Sequence, residues 1–365
     1  MGKKQQNKEK EQKTKISKKQ FFLTVLVLLM VVVAYLAVAF RAWDVAGATI
    51  KRRIAEKQID KYMEQVGFNG TVVAARDGEI IFAKGYGRVD LTKGEDASRC
   101  SMDTLYPIFS LSKQFTAYAI LQLEQEGKLS RTDKVSKYFE NCKYGDDTTL
   151  EELLNLTAGI PEYMDDVEDY ESYHSVDRDA LLSKILNYTP AGKGQFKYSN
   201  SNYFLLGLII EKVSGMTYED YIQENVVIPA GMEKVSFDPQ AADTKGFRPY
   251  DVYNPDNTEY HASYAFSAGE LCTTAINLSR WQNFLYSDKA IDISQCFGDN
   301  PNETVYNLGL VRAGYYYGHT GGGRFHRHSM WYNTASHVQV IVLSNNAYCD
   351  SNTVSLAVEH YLSKY

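Results

Sequence analysis

The sequence predicts a mixed α/β protein of the α+β type, with one sheet built from both ends of the folded part and an N-terminal transmembrane helix. Strand-like runs occur at residues 70–90 and again at 305–346, whereas helical patterns dominate 128–280. Strands at both ends with helices inserted between them are typical of a single sheet that carries a helical lobe. The transmembrane helix is predicted by an uncharged run near the N-terminus.

Residues 1–20 form a basic tail, with eight lysines and two glutamates between positions 3 and 19. The next segment, 21–40 (FFLTVLVLLMVVVAYLAVAF), carries no charge. A helix of this length spans about 30 Å, the thickness of a hydrocarbon core. Lysines on its N-terminal side predict a cytoplasmic tail and an outward-facing remainder. The run is long for a signal peptide, which favours a retained single-pass membrane anchor over secretion after cleavage at Ala39.

Residues 41–65 follow as a juxtamembrane helix, because apolar residues recur there at helical spacing. The remaining segment, 66–365, is predicted to be one folded domain. It begins with two β-rich runs on either side of Asp77-Gly78, a dipeptide that favours a tight hairpin turn. The domain therefore opens with a β-hairpin.

A helix is expected to begin near Ser110 and to end at Gly127, where a residue without Cβ suits a left-handed cap. Helical patterns separated by loops follow. Three successive strands are predicted, at 305–323, 324–334 and 337–346, and a closing helix over 352–363. The helical lobe thus lies between the hairpin and the last strands in the sequence.

Composition excludes some functions. The net charge is −6 although the tail is basic, so the folded part is acidic and nucleic-acid binding is not expected. The five cysteines lack C-x-x-C spacing, and some can pair in an oxidising compartment. His326 and His328 lack a third ligand and are expected to form a surface-loop pair, so neither a metal nor an organic cofactor is predicted. The oligomeric state is left open.

One Ser-x-x-Lys pattern, Ser110 to Lys113, occurs in the whole chain. Residues three apart on a helix lie on one face, about 5–6 Å apart at Cβ. A serine hydroxyl needs a base to become a nucleophile, and a lysine serves as that base when burial or a neighbouring cation keeps its amine neutral. A helix with a harmless polar face is the alternative.

Two further patterns also occur once each. Tyr198-Ser199-Asn200 is the only Tyr-x-Asn among 28 tyrosines and directly precedes an apolar helix, so its phenol and amide are candidate proton-relay and positioning groups. Ser199 or Asn200 simply capping that helix is the alternative.

The other pattern is His319-Thr320-Gly321-Gly322, in a predicted strand. Glycines weaken a strand but let another backbone approach closely. The N–H of Gly322 is expected to hold an oxyanion together with that of Ser110. A glycine-rich bulge without function is the alternative.

The three patterns in this order resemble those of the serine β-lactamase and penicillin-binding-protein superfamily. The Tyr-x-Asn pattern is most similar to that of the class C β-lactamase and D-alanyl-D-alanine carboxypeptidase branch. The resemblance extends from about residue 66 to 347 and includes YPIFSLSKQFTAYAILQLEQEGKLSRTDKVSKYF, TLEELLNLTAGIPEY, YSNSNYFLLGLIIEKVSGMTYEDYI and SAGELCTTAINLSRWQNFL. It implies a mostly antiparallel sheet flanked by helices, an all-helical lobe, and an active site in the groove between them.

By match of motif, the resemblance implies that Ser110 is the acylated nucleophile and Lys113 its base or proton relay. Tyr198 would be the partner base that also activates the deacylating water. Asn200 would position the substrate.

For the third motif, the resemblance implies that His319 and Thr320 bind a substrate carboxylate. His replaces the Lys usual in β-lactamases. Because an imidazole loses its charge near neutral pH, carboxylate binding is expected to weaken as pH rises. Arg324 or a charged His326 is an alternative anion-binding group.

These features predict a membrane-anchored, outward-facing serine hydrolase that acts on an amide or an ester. D-alanyl cell-wall peptides, esters and β-lactams are the candidate substrates. The first alternative is a sensor or scaffold that binds penicillin or cell-wall fragments with little turnover. The second is a structural role of the outer domain in cell-surface assembly.

Overall fold

The computed structural model describes residues 18–166, 177–248, 262–298, 300 and 303–364. Residues 1–17 of the predicted basic tail therefore lie outside the described residues. The described chain divides into two compact units. One contains the chain up to Gln58, and the other, Ile59–Ser363, contains both sheets and the candidate site.

The predicted anchor and juxtamembrane segments both fall in helix α1, Lys18–Gln65. Near its end α1 buries Ile59 and Met63 of the predicted apolar face, whereas Ile50 and Ile54 of the same face are exposed. Within the described ranges, no helix combines the length and the apolar character needed to cross a bilayer. The membrane anchor over 21–40 stays a prediction.

The main sheet has seven strands in the order β2-β1-β10-β9-β8-β7-β6, and every neighbouring pair is antiparallel. The N-terminal hairpin joins the C-terminal strands where β1 pairs with β10, so the prediction of one sheet built from both ends is confirmed. Its strands are β1 (Gly70–Arg76), β2 (Glu79–Tyr86), β6 (Val305–Asn307), β7 (Leu310–Ala313), β8 (Tyr316–Gly322), β9 (Arg327–Asn333) and β10 (Val338–Ser344).

The turns explain where the sequence prediction holds and where it is wrong. Asp77 and Gly78 have φ of 49° and 81°, as a tight hairpin turn with two left-handed residues requires. The segment predicted as a single strand before Gly322 is in fact three strands. Chain reversals at Gly309 and Gly314, with φ of 69° and 61°, divide it into β6, β7 and β8.

Three short strands form a second sheet in the order β3-β5-β4, which the sequence did not predict. They are β3 (Tyr106–Pro107), β4 (Val235–Ser236) and β5 (Cys272–Thr273). The remaining described helices are α2 (Lys113–Gln125), α3 (Leu150–Leu154), α4 (Arg178–Leu186), α5 (Asn200–Ser214), α6 (Tyr218–Ile222), α7 (Ala262–Ala265), α8 (Ala275–Leu285) and α9 (Ser351–Ser363).

Helices cover the main sheet and also form the lobe beside it. Helix α8 packs against β1 and β10, and α9 packs against β9 and β10. All residues of β10 are buried, as expected for a central strand. Helices α2, α3, α5 and α6 pack on one another to form the helical lobe. The turn before α2 contacts β8, and this contact places the first and third sequence motifs side by side.

Candidate active site

The candidate nucleophile Ser110 lies on a strained turn directly before α2. The turn is a 3-10 helix, Phe109–Ser112, so Ser110 precedes the α-helix rather than lying in its first turn as the sequence predicted. Phe109 has φ of 48°. This left-handed conformation costs roughly 1–2 kcal/mol in a residue with a Cβ. The Phe109 ring lies 5.8 Å from each of the His326 and His328 rings, and this packing holds the turn.

Lys113 is the first residue of α2, and three oxygens surround its nitrogen. Nζ lies 3.0 Å from Ser110 Oγ, 2.6 Å from Asn200 Oδ1 and 2.8 Å from the carbonyl oxygen of Ala268. The two carbonyl oxygens can only accept, so they take two N–H groups of the amine. A neutral amine then has its lone pair left for the hydroxyl of Ser110. This geometry suits a base that removes the serine proton.

Burial sets the charge of Lys113. The side chain has no exposed surface, and desolvation lowers its pKa from 10.5 to about 7. The carboxylate of Glu162 acts in the opposite direction, because negative charge nearby favours the ammonium form. Desolvation is the larger effect. Near neutral pH the neutral amine is therefore accessible beside the serine, unlike that of an ordinary lysine.

Tyr198 is the second group in contact with the serine hydroxyl. Its OH donates to Ser110 Oγ at 2.7 Å, and its ring centroid lies 5.1 Å from Nζ of Lys113. As a residue Tyr198 is 38% exposed, but its hydroxyl faces Ser110. Desolvation raises the pKa of Tyr198, and the negative charge of Glu162 raises it further. The phenol is therefore protonated at neutral pH and acts as a proton donor.

Asn200 connects Lys113 to a carboxylate that the sequence did not single out. Its Oδ1 accepts from Lys113, while its backbone N and Nδ2 both donate to Glu162 Oε2, at 2.6 and 2.8 Å. Nδ2 also lies 3.4 Å from the sulfur of Met164. The amide of Asn200 is thus engaged by the protein at both ends. In this state it positions Lys113 and has no N–H directed at a substrate.

The third motif occupies the end of β8, beside the nucleophile turn. Strand β7 pairs with β8 only as far as Gly318, whereas β9 pairs along β8 to Gly322, so residues 319–322 have one edge that β7 does not cover. A Cβ added to Gly321 would lie 2.3 Å from the carbonyl oxygen of Ile108. The absent side chain of Gly321 therefore allows β8 to approach the turn that carries Ser110.

His319 is buried, and this changes what it offers to a substrate. Desolvation, together with positive charge on Lys113, lowers its pKa from 6.5 to about 4, against the opposite effect of the hydrogen bond to Thr320. Its Nδ1 contacts the carbonyl oxygen of Thr320, so in the neutral ring Nδ1 carries the proton and Nε2 is an acceptor. At neutral pH His319 therefore presents no positive charge to a carboxylate. Of His319 and Thr320, the exposed Thr320 is the remaining candidate hydrogen-bond donor to a substrate carboxylate.

Two sequence-based expectations about the neighbouring histidines are wrong. His326 and His328 do not form a surface-loop pair, because both are fully buried. Nε2 of His326 lies 3.1 Å from Thr244 Oγ1, so this ring is not exposed to bind a substrate anion. His328 accepts from the backbone N–H of Ser344 at Nδ1 and donates from Nε2 to Pro107 O, as a neutral ring does. Both rings support the nucleophile turn instead.

The structure contains no sulfur–sulfur bond among the five cysteines, which are thiols. Within the part of the chain that the structure describes, no group of three or more His, Cys, Asp or Glu side chains is arranged to hold a metal ion.

Comparison with known proteins supports the relationship indicated by the motifs. The sequence profile of the family described as Beta-lactamase matches residues 55–357. The chain is 31% identical over 286 residues to the putative penicillin-binding protein PbpX of Bacillus subtilis, covering 74% of this chain and 69% of that protein. It is 34% identical over 196 residues to Protein flp of Staphylococcus aureus, covering 50% of this chain and 38% of that protein.

The chain spans less than half the length of some curated relatives that it matches. Among solved structures, FmtA from Staphylococcus aureus superposes with a TM-score of 0.73 at 22% identity, covering 85% of this chain and 89% of that one. At 22% identity, the similarity between the two proteins shows a shared fold. The fold of the chain, over the 85% that superposes, therefore belongs to a known structural class.

Proposed function

The chain belongs to the beta-lactamase family, within the serine β-lactamase and penicillin-binding-protein superfamily, and we propose that it is a serine hydrolase that acts through an acyl-enzyme on an amide or an ester. One observation carries the proposal. Ser110 Oγ lies 3.0 Å from the nitrogen of Lys113 and 2.7 Å from the hydroxyl of Tyr198. A lysine neutralised by burial supplies the base that a serine nucleophile requires.

Acylation begins when Ser110 attacks the substrate carbonyl carbon and its proton passes to Lys113. The bond to the leaving amine or alcohol then breaks, and Tyr198 protonates the leaving group and recovers a proton from Lys113. Water attacks the acyl-enzyme, releases a carboxylic acid and restores the serine hydroxyl. The N–H groups of Ser110 and Gly322 are the predicted oxyanion donors, and losing one such donor typically costs about 2.7–4 kcal/mol.

The candidate substrates are D-alanyl cell-wall peptides, esters and β-lactams. A neutral His319 holds a substrate carboxylate less strongly than a cation does, because the charge-assisted hydrogen bond is missing. This favours amides and esters whose recognition does not depend on a carboxylate over a D-alanyl-D-alanine carboxypeptidase or an efficient β-lactamase. The acylation chemistry is the same for all three classes.

A substrate panel tests the proposal. Wild-type protein is incubated with D-alanyl esters, D-amino-acid amides, a D-alanyl-D-alanine peptide and a chromogenic β-lactam, and product release is followed. Ser110→Ala should abolish the turnover of every substrate that wild type processes. Ser112→Ala is the matched control, since that hydroxyl only accepts from the backbone N–H of Leu271, and it should retain turnover. Identical processing by wild type and Ser110→Ala would refute the catalytic role.

A second candidate function is a penicillin- or cell-wall-fragment-binding protein with little turnover. The observation that favours it is the raised pKa of Tyr198, because a protonated phenol donates a proton during acylation but is a poor base for the deacylating water. A fluorescent penicillin separates the two functions. Label that is lost within minutes supports the hydrolase, and label that persists on Ser110 supports the binding protein.

We also propose that residues 21–40 anchor the protein in the cell membrane with the folded domain outside. The support is in the sequence, which combines an uncharged run of that length with lysines on its N-terminal side. Full-length protein should remain in the membrane fraction after alkaline extraction, and protease added to intact cells should remove the folded domain. Recovery of the full-length chain in the soluble fraction would contradict the anchor.

A further inference from the structure

Glu162 is half-buried and lies behind Asn200 as seen from Lys113. Its two carboxylate oxygens have three donors. Oε2 accepts from the backbone N and Nδ2 of Asn200, and Oε1 accepts from the backbone N–H of Met164 at 3.0 Å. None of these contacts involves a group that reacts with a substrate. Glu162 therefore has no direct chemical step to perform.

The carboxylate decides which way the amide of Asn200 points. A carboxylate only accepts, so the NH₂ end of the amide must face Glu162 and the oxygen must face Lys113. If the amide were reversed, its NH₂ would face the donating amine of Lys113, and its oxygen would face a carboxylate oxygen. Both contacts would be repulsive. The orientation that leaves the Lys113 lone pair directed at Ser110 thus depends on Glu162.

When it is ionised, the same carboxylate is a negative charge close to the catalytic amine. It raises the pKa of Lys113 against the larger effect of burial. Burial raises the pKa of Glu162, whereas the hydrogen bonds from Asn200 and Met164 and the positive charge of Lys113 lower it. The other titratable groups that surround this pair are Asp165, the rings of Tyr198 and Tyr203 at 5.1 and 5.6 Å from Nζ, and neutral His319.

We propose that Glu162 is a positioning residue that orients the amide of Asn200 and sets the pH at which Lys113 can accept the proton of Ser110. The proposal rests on the function proposed above, since it gives Lys113 the role of base. It assigns a purpose to a carboxylate outside all three sequence motifs. It also means that Asn200 positions Lys113 in this chain and does not bind the substrate directly.

The test is to titrate Lys113 in wild-type protein and three variants. Lysine ε-carbons are labelled with ¹³C and followed by NMR from pH 5 to 10, with Lys113→Met used to assign the resonance, so the readout needs no turnover. Removing the negative charge in Glu162→Gln should lower the midpoint of the Lys113 titration by about one pH unit. Glu162→Asp keeps the charge and should keep the wild-type midpoint. Glu233→Gln, at a carboxylate that is 78% exposed, is the matched control and should also keep it.

Acylation of Ser110 by an activated ester is measured on the same proteins. In Glu162→Gln, the acidic limb of the pH profile of the acylation rate should shift to lower pH together with the midpoint of the Lys113 titration. An unchanged midpoint in Glu162→Gln, or equal shifts in the Gln and Asp variants, would overturn the role of Glu162. Wild-type protein that shows the predicted titration but no acylation would instead refute the proposed hydrolase, so the two failures are distinguishable.

Discussion

Glu270 offers a test of the packing behind the catalytic lysine. This carboxyl is 2% exposed, and its Oε1 accepts from the backbone N–H of Ser267 at 2.9 Å. This hydrogen bond stabilises the turn that contains Ala268, whose carbonyl oxygen accepts from Lys113. Desolvation raises the pKa of Glu270 from 4.5 to about 8, and the negative charge of Glu219 adds to the effect.

A carboxyl whose pKa is higher in the folded state than in the unfolded state makes stability fall as pH rises between the two values. From pH 5.5 to 7 the group is ionised in the unfolded chain and protonated in the folded one. Each pH unit then costs about 1.4 kcal/mol, or roughly 2 kcal/mol over this interval. Glu270→Gln removes the ionisation while keeping an oxygen that accepts from Ser267.

The free energy of unfolding is measured by urea denaturation at pH 5.5 and 7, with tryptophan fluorescence as the probe. The stability of Glu270→Gln relative to wild type should increase by roughly 2 kcal/mol between the two pH values. Glu233→Gln, which changes an exposed carboxylate, should change in parallel with wild type. If Glu270→Gln also ran parallel to wild type, the carboxyl would be ionised in the folded protein and the reasoning from its burial would be refuted.

The acylation rate of wild-type protein should rise about tenfold from pH 6 to 8 and then level off, because Lys113 has a pKa of about 7. The rate is measured by stopped flow, and a profile that keeps rising to pH 10 would indicate an ordinary lysine. Tyr198→Phe removes the proton donor to the leaving group and should slow acylation by an amide roughly 100- to 10,000-fold, whereas an unchanged single-turnover rate would exclude this role. His319→Gln exchanges one neutral group for another, because the pKa of His319 is about 4. The ratio of its KM to that of wild type should be constant from pH 5.5 to 8, and a ratio that grows as pH falls would show that His319 is cationic there.

The sequence predicts the parts of the site that form short patterns of fixed spacing. Ser110 and Lys113 have the spacing of neighbours on one helix face, and Tyr198 directly precedes an apolar helix. Each of these residues can therefore be predicted from the sequence alone. The structure places Ser110, Lys113 and Tyr198 beside the segment 319–322. It also shows one sheet built from the two ends of the domain, which strand-like runs at both ends indicate.

The parts that sequence reasoning missed depend on three-dimensional burial. Glu162 lies in a loop and is linked to Asn200 across 38 positions, so no local spacing marks it. The Ala268 contact comes from a backbone carbonyl, which every residue has. The neutrality of His319 follows from its desolvation, not from its residue type.

The strand boundaries before Gly322 differ from the prediction for a related reason. Apolar and aromatic residues continue through 305–322, and this composition favours extended structure throughout. The glycines at 309 and 314 were the available signals, and both adopt positive φ at chain reversals. Giving these two glycines the weight of turn signals would have predicted β6, β7 and β8 as separate strands.

Locating the acyl group on the protein tests the activation of Ser110 by Lys113 most directly. Full-length protein is incubated with a β-lactam or an activated ester, quenched in acid, digested and examined by mass spectrometry, with Lys113→Ala treated in parallel. We expect the mass of the acyl group on the peptide that contains Ser110, and at least a 100-fold slower appearance of that adduct in Lys113→Ala. An adduct on a different residue, or equal rates of acylation in the two proteins, would contradict the claim that a buried neutral lysine activates this serine.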